Sequence, residues 1–335
     1  NYFQKEGKQE VRRGLDRLAS WMQEGCLFHL AEIYDGAAPV MSKGCYAQAW
    51  SVGEILRVYK EMEGKKMSNP LRMTPETMRL AAHRGHSAGA PENTYASFKL
   101  AREICGPGVT CETDLALTRD GEMVLIHDET VDRTTNGKGL VRNMTLQEIE
   151  RLDAGSWFAP KYAGLRIPKF REAMEFAREN DIIYQLEVKV YNRNNEVFPR
   201  LKAVIDDMRC ADLLQFSAFD FTLLKAIKEY IPGVPTVGLQ HSMLIDPVAP
   251  ARDANLDAVN LEYLNFASGE APKLHDAGFA VFVHIPRGDA IEKLHSYGWD
   301  LRADVVNWIR TGQLDHVISD DAAIVRDIWR EAVGK

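Results

Sequence analysis

From residue 80 onward this chain alternates short apolar runs with amphipathic helical patterns, and that rhythm restricts it to very few folds. Strand-like runs fall at 80–83, 109–117, 123–127, 182–188, 213–217, 235–239, 258–261, 280–284 and 316–319. Most are continuous apolar stretches rather than apolar–polar alternations, which suits parallel strands covered on both faces. Helical patterns lie between them at 95–104, 170–179, 197–208, 221–230 and 322–329. One pair breaks the rhythm. Asp120-Gly121 sits between the run ending at Leu117 and the run starting at Met123. An Asp-Gly turn between two strand patterns predicts a hairpin, so the 123–127 strand is expected to return antiparallel. Setting it aside leaves eight strands joined by helical sequence over about 255 residues, which predicts an α/β fold, the (β/α)₈ TIM barrel.

The 335 residues leave room for something small beside the barrel. Residues 1–62 have a different texture, with helical flanks expected at 11–23 and 47–62, so a short helical segment is predicted to precede the barrel. Gly64, Pro70 and Pro75 lie in a polar stretch, which places a linker at 63–76 and the barrel at 77–335. A net charge of -7 excludes an electrostatic footprint for nucleic acid and gives no attraction to an anionic membrane. No apolar run is long enough to span a bilayer. Cys26, Cys45, Cys105, Cys111 and Cys210 are odd in number and form no Cys-x-x-Cys pair, which reads as free thiols in a reducing cytoplasm. The chain begins at Asn1 rather than Met, which fits a fragment whose leader would lie upstream. Oligomeric state is left open by the sequence.

In a barrel of this kind, catalytic groups sit at the C-terminal ends of the strands. His83, Asp114, Glu187, Lys189, Ser217, Glu262, His284 and Asp320 all fall there. Glu112 and Asp114 are two apart on one strand and so face one side. Convergent carboxylates repel unless a cation lies between them, and oxygen ligands suit Mg²⁺ or Ca²⁺. Alone, the pair would read as solvated strand-end acids. Glu187 and Lys189 repeat the spacing, offering a third carboxylate and a charge for a phosphate oxygen, or else a structural ion pair. His83 and His127 are the candidate acid and base, since imidazoles near neutral pKa can take and return a proton. Arg84 carries the fork donors that match two phosphate oxygens, and Gly85 frees the turn behind it. In Pro91-Glu92-Asn93-Thr94, Glu92 is placed to order Arg84 or His83, and Asn93 or Thr94 to cap the next helix.

These motifs resemble the signature of glycerophosphodiester phosphodiesterases. The resemblance is carried by His83-Arg84-Gly85, Pro91-Glu92-Asn93-Thr94, Glu112-x-Asp114, Thr118-x-Asp120-Gly121, His127-Asp128 and Leu186-Glu187-Val188-Lys189. Arg133-Thr134-Thr135-Asn136-Gly137, Leu152-Asp153-Ala154-Gly155-Ser156-Trp157-Phe158 and Ile167-Pro168 extend it, over roughly 78–330. The resemblance implies a TIM barrel with a small inserted subdomain at about 118–168, and hydrolysis of glycerophosphodiesters to glycerol 3-phosphate and an alcohol. It implies one divalent cation, Mg²⁺ or Ca²⁺, on Glu112, Asp114 and Glu187, an acid/base pair in His83 and His127, and a phosphate grip from Arg84 and Lys189. Glu92, Ser217 and His284 become candidates for the substrate rim.

The chain departs from that signature at Gln185, at Ser217-Ala218-Phe219, at Val283-His284-Ile285 and at Ser319-Asp320-Asp321, mostly on the substrate side of the mouth. The alternatives are a lysophospholipase D-like enzyme, with Trp157, Phe158 and Tyr162 as an apolar lip, and a carbohydrate-linked scaffold without catalysis. The scaffold is suggested by the head. Glu32-Ile33-Tyr34-Asp35-Gly36 and Gln48-Ala49-Trp50-Ser51-Val52 resemble the C-terminal tail of amylo-α-1,6-glucosidase domains. Glycoside hydrolysis needs a second carboxylate across the bond and far more of that domain than residues 1–62 hold, so glucosidase activity is not expected.

Overall fold

The computed structural model describes residues 69–190 and 193–335, together with the backbone of 31–34 and 42–46. The chain divides into two compact units, 1–68 and 69–335. In the first, β1 (Ala31–Tyr34) and β2 (Ser42–Tyr46) pair antiparallel. The head, expected to be a short helical segment with helical flanks, thus also holds a strand pair between them. Asp35-Gly36 and Pro39 lie between the two strands in sequence, and such residues favour turns over helix. The helices expected at 11–23 and 47–62 lie outside the described residues.

In the second unit, β3 (Arg79–Ala82), β4 (Val109–Leu117), β6 (Ile182–Val188), β7 (Leu214–Ala218), β8 (Thr236–Gln240), β9 (Ala258–Glu262), β10 (Ala280–His284) and β11 (His316–Ser319) are parallel neighbours in that order. β11 pairs back to β3, so the eight strands close into the TIM barrel. β5 (Met123–Leu125) lies antiparallel on the last three residues of β4, as the Asp-Gly turn predicts. It stops before 127. Ile126 still donates to the Asp114 carbonyl at 3.0 Å, and His127-Asp128 then turns away into the mouth.

The helices are α1 (Tyr95–Cys105), α2 (Leu146–Ile149), α3 (Phe170–Asn180), α4 (Asn194–Met208), α5 (Phe221–Tyr230), α6 (Val248–Asp253), α7 (Tyr263–Ala267), α8 (Glu270–Asp276), α9 (Asp289–Ser296), α10 (Leu301–Arg310) and α11 (Ala322–Val333). Alternate residues of each strand divide two cores. Cys111, Leu115, Tyr184, Leu186 and Phe216 join the large cluster with helix residues such as Phe98, Met174 and Leu201. Ala81, Val237, Ala258, Ala280, Phe282 and Ile318 form a smaller cluster of their own. Truncating a fully buried member such as Phe216 to Ala would cost about 3–5 kcal/mol.

Leu71 belongs to that inner cluster and is 3% exposed. Asn69 Nδ2 donates to the Asp257 and Gly278 carbonyls, and the Met73 amide donates to Asp315 Oδ1 at 2.7 Å. Residues 69–76, expected to be linker, are thus a plug on the barrel. An apolar side chain and satisfied backbone hold them there, which composition alone does not reveal. Between β4 and α3 the excursion 118–168 has its own small core of Val124, Ile126, Val131, Val141, Ile149, Ala154 and Ile167. Asp153 organises its far end, accepting from the amides of Gly155, Ser156 and Gly164.

Candidate active site

The mouth is built on the turn after β3. His83 follows the strand directly and keeps its ladder, its amide donating to the Ser319 carbonyl at 2.9 Å. Arg84 then takes a left-handed conformation with φ 57°, unusual for a bulky residue. The twist aims its amide at Glu112 Oε2, 3.1 Å away. Gly85 must be glycine for two reasons. Its φ is +76°, and a Cβ there would meet the Ser97 backbone carbon at 2.7 Å. Thr94, not Asn93, caps α1, in a reciprocal box with Ser97. Asn93 instead braces the carboxylates. Its side-chain amide donates to Asp114 Oδ2 at 2.9 Å while its carbonyl oxygen accepts from Thr113 Oγ1 at 2.7 Å.

Glu112, Asp114 and Glu187 converge as their strand spacing predicts. One oxygen from each lies within 4.8 Å of the other two, and all three side chains are buried. Lys189 Nζ sits 2.7 Å from Asp114 Oδ1 and 3.3 Å from Glu187 Oε2. Arg84 Nε lies 3.7 Å from Asp114 Oδ2, and its Nη1 donates to Glu92 Oε1 at 2.9 Å. Of His83 and Arg84, Glu92 therefore holds Arg84. Glu92 is itself gripped by both terminal nitrogens of Arg133, at 2.7 and 2.8 Å.

Each histidine turns one ring nitrogen toward an aspartate. His83 Nδ1 lies 2.6 Å from Asp320 Oδ1, and His127 Nδ1 lies 2.7 Å from Asp128 Oδ1. A proton on Nδ1 leaves Nε2 of each ring as the acceptor. His83 Nε2 is 3.7 Å from Glu112 Oε2, so it faces the carboxylates. His83, Arg84, Glu112, His127, Glu187, Lys189 and His284 share one cavity of about 240 Å³.

The sequence from 83 to 323 matches the family model described as glycerophosphoryl diester phosphodiesterase. The chain belongs to the glycerophosphoryl diester phosphodiesterase family. A glycerophosphodiester phosphodiesterase of Caldanaerobacter subterraneus is 33% identical over 256 residues, covering 75% of this chain and 97% of that one. One from Bacillus subtilis is 30% identical over 219 residues, covering 60% and 70%. Among solved structures, an Oleispira antarctica phosphodiesterase in complex with the product sn-glycerol-3-phosphate superposes with a TM-score of 0.65 at 26% identity, covering 77% of this chain and 97% of that one. A glycerophosphodiester phosphodiesterase from Agrobacterium tumefaciens shares the fold, with a TM-score of 0.61 at 23% identity over 76% of this chain and 100% of that one. Residues 1–57 match a second family model, amylo-alpha-1,6-glucosidase. This chain is thus an enzyme of the phosphodiesterase class with a glucosidase-related segment before its barrel.

The electrostatics of this phosphodiesterase site follow from burial and neighbours. Burial and the charges of Asp114 and Glu187 push the Glu112 carboxyl well above its ordinary value. Glu187 is pushed up to about 7 by burial and Asp114, against the pull of Lys189. Asp114 goes the other way: burial opposes it, but Lys189 and Arg84 hold it below the usual range. Burial lowers His83, with the Asp320 hydrogen bond resisting. Asp320, despite burial, falls to about 2 through its bond to His83.

Other expected positions are arranged differently. Ser217 is fully buried beside Glu187 in the β6–β7 register, and Phe219 takes the rim position above it because β7 runs on through Ala218. His284 does reach the mouth, edge-on to His83 at 5.1 Å between ring centroids. From the sequence, Glu262 and Asp320 fall at strand ends on the mouth without a partner for either, Asp128 and Arg133 enter only within the family motifs, Asn93 has only a capping role, and His241 is not singled out. Adjacency to His127 is the signal for Asp128, and strand-end position is the signal for Glu262 and Asp320, but no local feature names their partners. The others reach the site from segments distant in sequence.

Proposed function

We propose that the chain hydrolyses glycerophosphodiesters to glycerol 3-phosphate and an alcohol, with a divalent cation, Mg²⁺ or Ca²⁺, held by Glu112, Asp114 and Glu187. The charge count at the mouth carries this reading. With all three ionised, the carboxylates face two cationic side chains, Arg84 and Lys189, leaving one net negative charge. This crowding is part of what pushes Glu112 and Glu187 up when no cation lies between them. A phosphodiester brings another negative charge, and one divalent cation neutralises both. When bound, such an ion lowers the pKa of a nearby hydroxyl and offsets charge developing on the phosphoryl oxygens.

The residues supply the rest. Arg84, with Nη1 fixed by Glu92, presents its remaining donors to a phosphate oxygen. Lys189, just past the end of β6, adds a point charge. Attack by a hydroxyl of the substrate's own glycerol gains a large effective concentration, because nucleophile and phosphorus are already tethered. One histidine takes that hydroxyl's proton on Nε2 and the other gives a proton to the departing alkoxide. Asp320 and Asp128 hold the two rings in register, each carboxylate facing a ring Nδ1.

The substrate is a small phosphodiester, and no helix among the described residues is long and apolar enough to cross a membrane. We place the enzyme in a reducing compartment, the cytoplasm, because Cys105, Cys111 and Cys210 are free thiols. The boundary between the glucosidase-like head and the enzyme is best drawn before Asn69. The decisive test is glycerol 3-phosphate release from glycerophosphocholine with and without EDTA. Activity should vanish with chelator, return with Mg²⁺ or Ca²⁺, and be absent in Glu112→Ala. Full activity in EDTA would remove the cation from the mechanism.

A further inference from the structure

The turn after β3 is tied to the turn after β11 by more than the pair His83 and Asp320. Three consecutive residues, His86, Ser87 and Ala88, also reach across to 320–322. His86 Nδ1 accepts a hydrogen bond from the Ala322 amide at 3.1 Å. Ser87 Oγ donates to Asp320 Oδ1 at 3.3 Å, and the Ala88 amide donates to the Asp320 carbonyl at 3.0 Å. From a third segment, Arg287 Nε holds Asp320 Oδ2 at 3.0 Å.

The His86 contact depends on the state of a titratable ring. Ala322 is the first residue of α11, and the opening amides of a helix have no partner within it. Asp321 caps the amides of Ala323 and Ile324, which leaves the Ala322 amide to His86. An imidazole nitrogen accepts only when the ring is neutral, here with its proton on Nε2. The ring is buried and seated against Gly89, where a Cβ would meet it at 2.7 Å. On the other side, the His86 amide donates to the Ser97 carbonyl of α1. Two charged groups act on the ring: Asp321 on α11, 3.8 Å from Nδ1, and Arg287 from the segment between β10 and α9. Burial keeps the ring below its ordinary value of 6.5, with Asp321 resisting and Arg287 assisting.

We propose that His86 is a positioning residue for catalysis, its neutral ring fixing the start of α11 and, through it, Asp320 and the ring of His83; this rests on the phosphodiesterase reading of the cavity. The turn 319–322 is pinned at both ends. The His83 amide donates to the Ser319 carbonyl at one end, and His86 accepts from the Ala322 amide at the other. Between them Asp320 Oδ1 stands 2.6 Å from His83 Nδ1, a distance that a small shift of the turn would spoil. A protonated His86 would set one N–H against another and bring a cation to the positive end of α11. The pin at Ala322 is then lost, and His83 is oriented less well although His86 touches no substrate.

The test is the pH profile of choline release from glycerophosphocholine by the full chain, with Mg²⁺ at saturation. His86→Leu keeps the bulk and loses the acceptor. It should lower kcat at pH 7.5 by about ten- to a hundredfold, with KM little changed. His86→Gln offers an acceptor oxygen that does not titrate. It should keep kcat near that of the parent at pH 7.5, and lose less than the parent as the pH falls below 6.5. The extra loss in the parent should approach the drop produced by His86→Leu. Parent and His86→Gln profiles of the same shape would overturn the proposal. Equal losses in the Gln and Leu variants at pH 7.5 would overturn it too, reducing His86 to packing. If His86→Leu does not fold, the His86→Gln profile decides alone. A parent inert toward glycerophosphocholine would overturn the phosphodiesterase reading itself, and this inference with it.

Discussion

The two walls of the mouth are built from different material. The near wall, from β3, β4 and β6 with the start of the insert, is a closed electrostatic lattice. Arg133 bridges Asp128 and Glu92, Glu92 holds Arg84, and Arg84 and Lys189 hold Asp114. The far wall, from β8 to β10, carries His241, Glu262 and His284, and then Met243, Tyr297 and Trp299 open to solvent. The contrast persists beneath the surface. Gln185 and Gln215 lie side by side in the β6–β7 register, whereas Phe282 on β10 stacks on His316 at 4.0 Å. A rigid, charged wall suits a reaction whose charges must be met in fixed places, while a looser apolar wall suits the variable part of a substrate.

The sharpest way to break this division is to remove a proton carrier from the near wall. His127→Ala should cut kcat on glycerophosphocholine by about 10²–10⁴-fold with a folded, cooperatively melting protein. An unchanged kcat would move the chemistry elsewhere.

The interior under the far wall gives a smaller effect, on stability rather than turnover. Burial, with a lesser push from Arg79, lowers His316 to about 3, against 6.5 for the free side chain. The unfolded chain therefore binds a proton there that the folded chain refuses. The stability His316 allows is complete above pH 6.5 and is lost as pH falls toward 3, at about 1.4 kcal/mol per pH unit. Urea midpoints between pH 7.5 and 4.5 should fall less steeply for His316→Leu than for the parent. Identical slopes would mean that the ring is not held neutral.

The smallest effect is expected at the far rim itself. His284→Ala should change kcat on glycerophosphocholine by less than about tenfold and act mainly on KM, because the ring borders the substrate without a place in the proton path. A loss as deep as that of His127→Ala would erase the difference between the walls.

Much of the near wall was legible in the chain. Glu112 and Asp114, and Glu187 and Lys189, face together because a strand repeats every two residues, and His83-Arg84-Gly85 reads as a strand end followed by a forced turn. The far wall was less legible. Glu262 and Asp320 could be seen as strand-end polar residues, but nothing local says that Glu262 lies between two histidines or that Asp320 holds His83. Leu71 was hidden for the same reason: its neighbours in sequence are polar, and its neighbours in space come from β3, β8, β9, β10 and β11.

The sequence by itself determined the eight parallel strands, the hairpin after β4, the family and the carboxylate pairs, because each follows from a short-range period or a contiguous motif. Only the tertiary structure decided which aspartate serves which histidine, that Asn93 binds Asp114 while Thr94 caps α1, that Phe219 rather than Ser217 reaches the rim, and that the far wall opens onto apolar side chains. Those are pairings between segments up to 237 residues apart, as His83 and Asp320 are, and barrel closure alone brings such segments within hydrogen-bond reach.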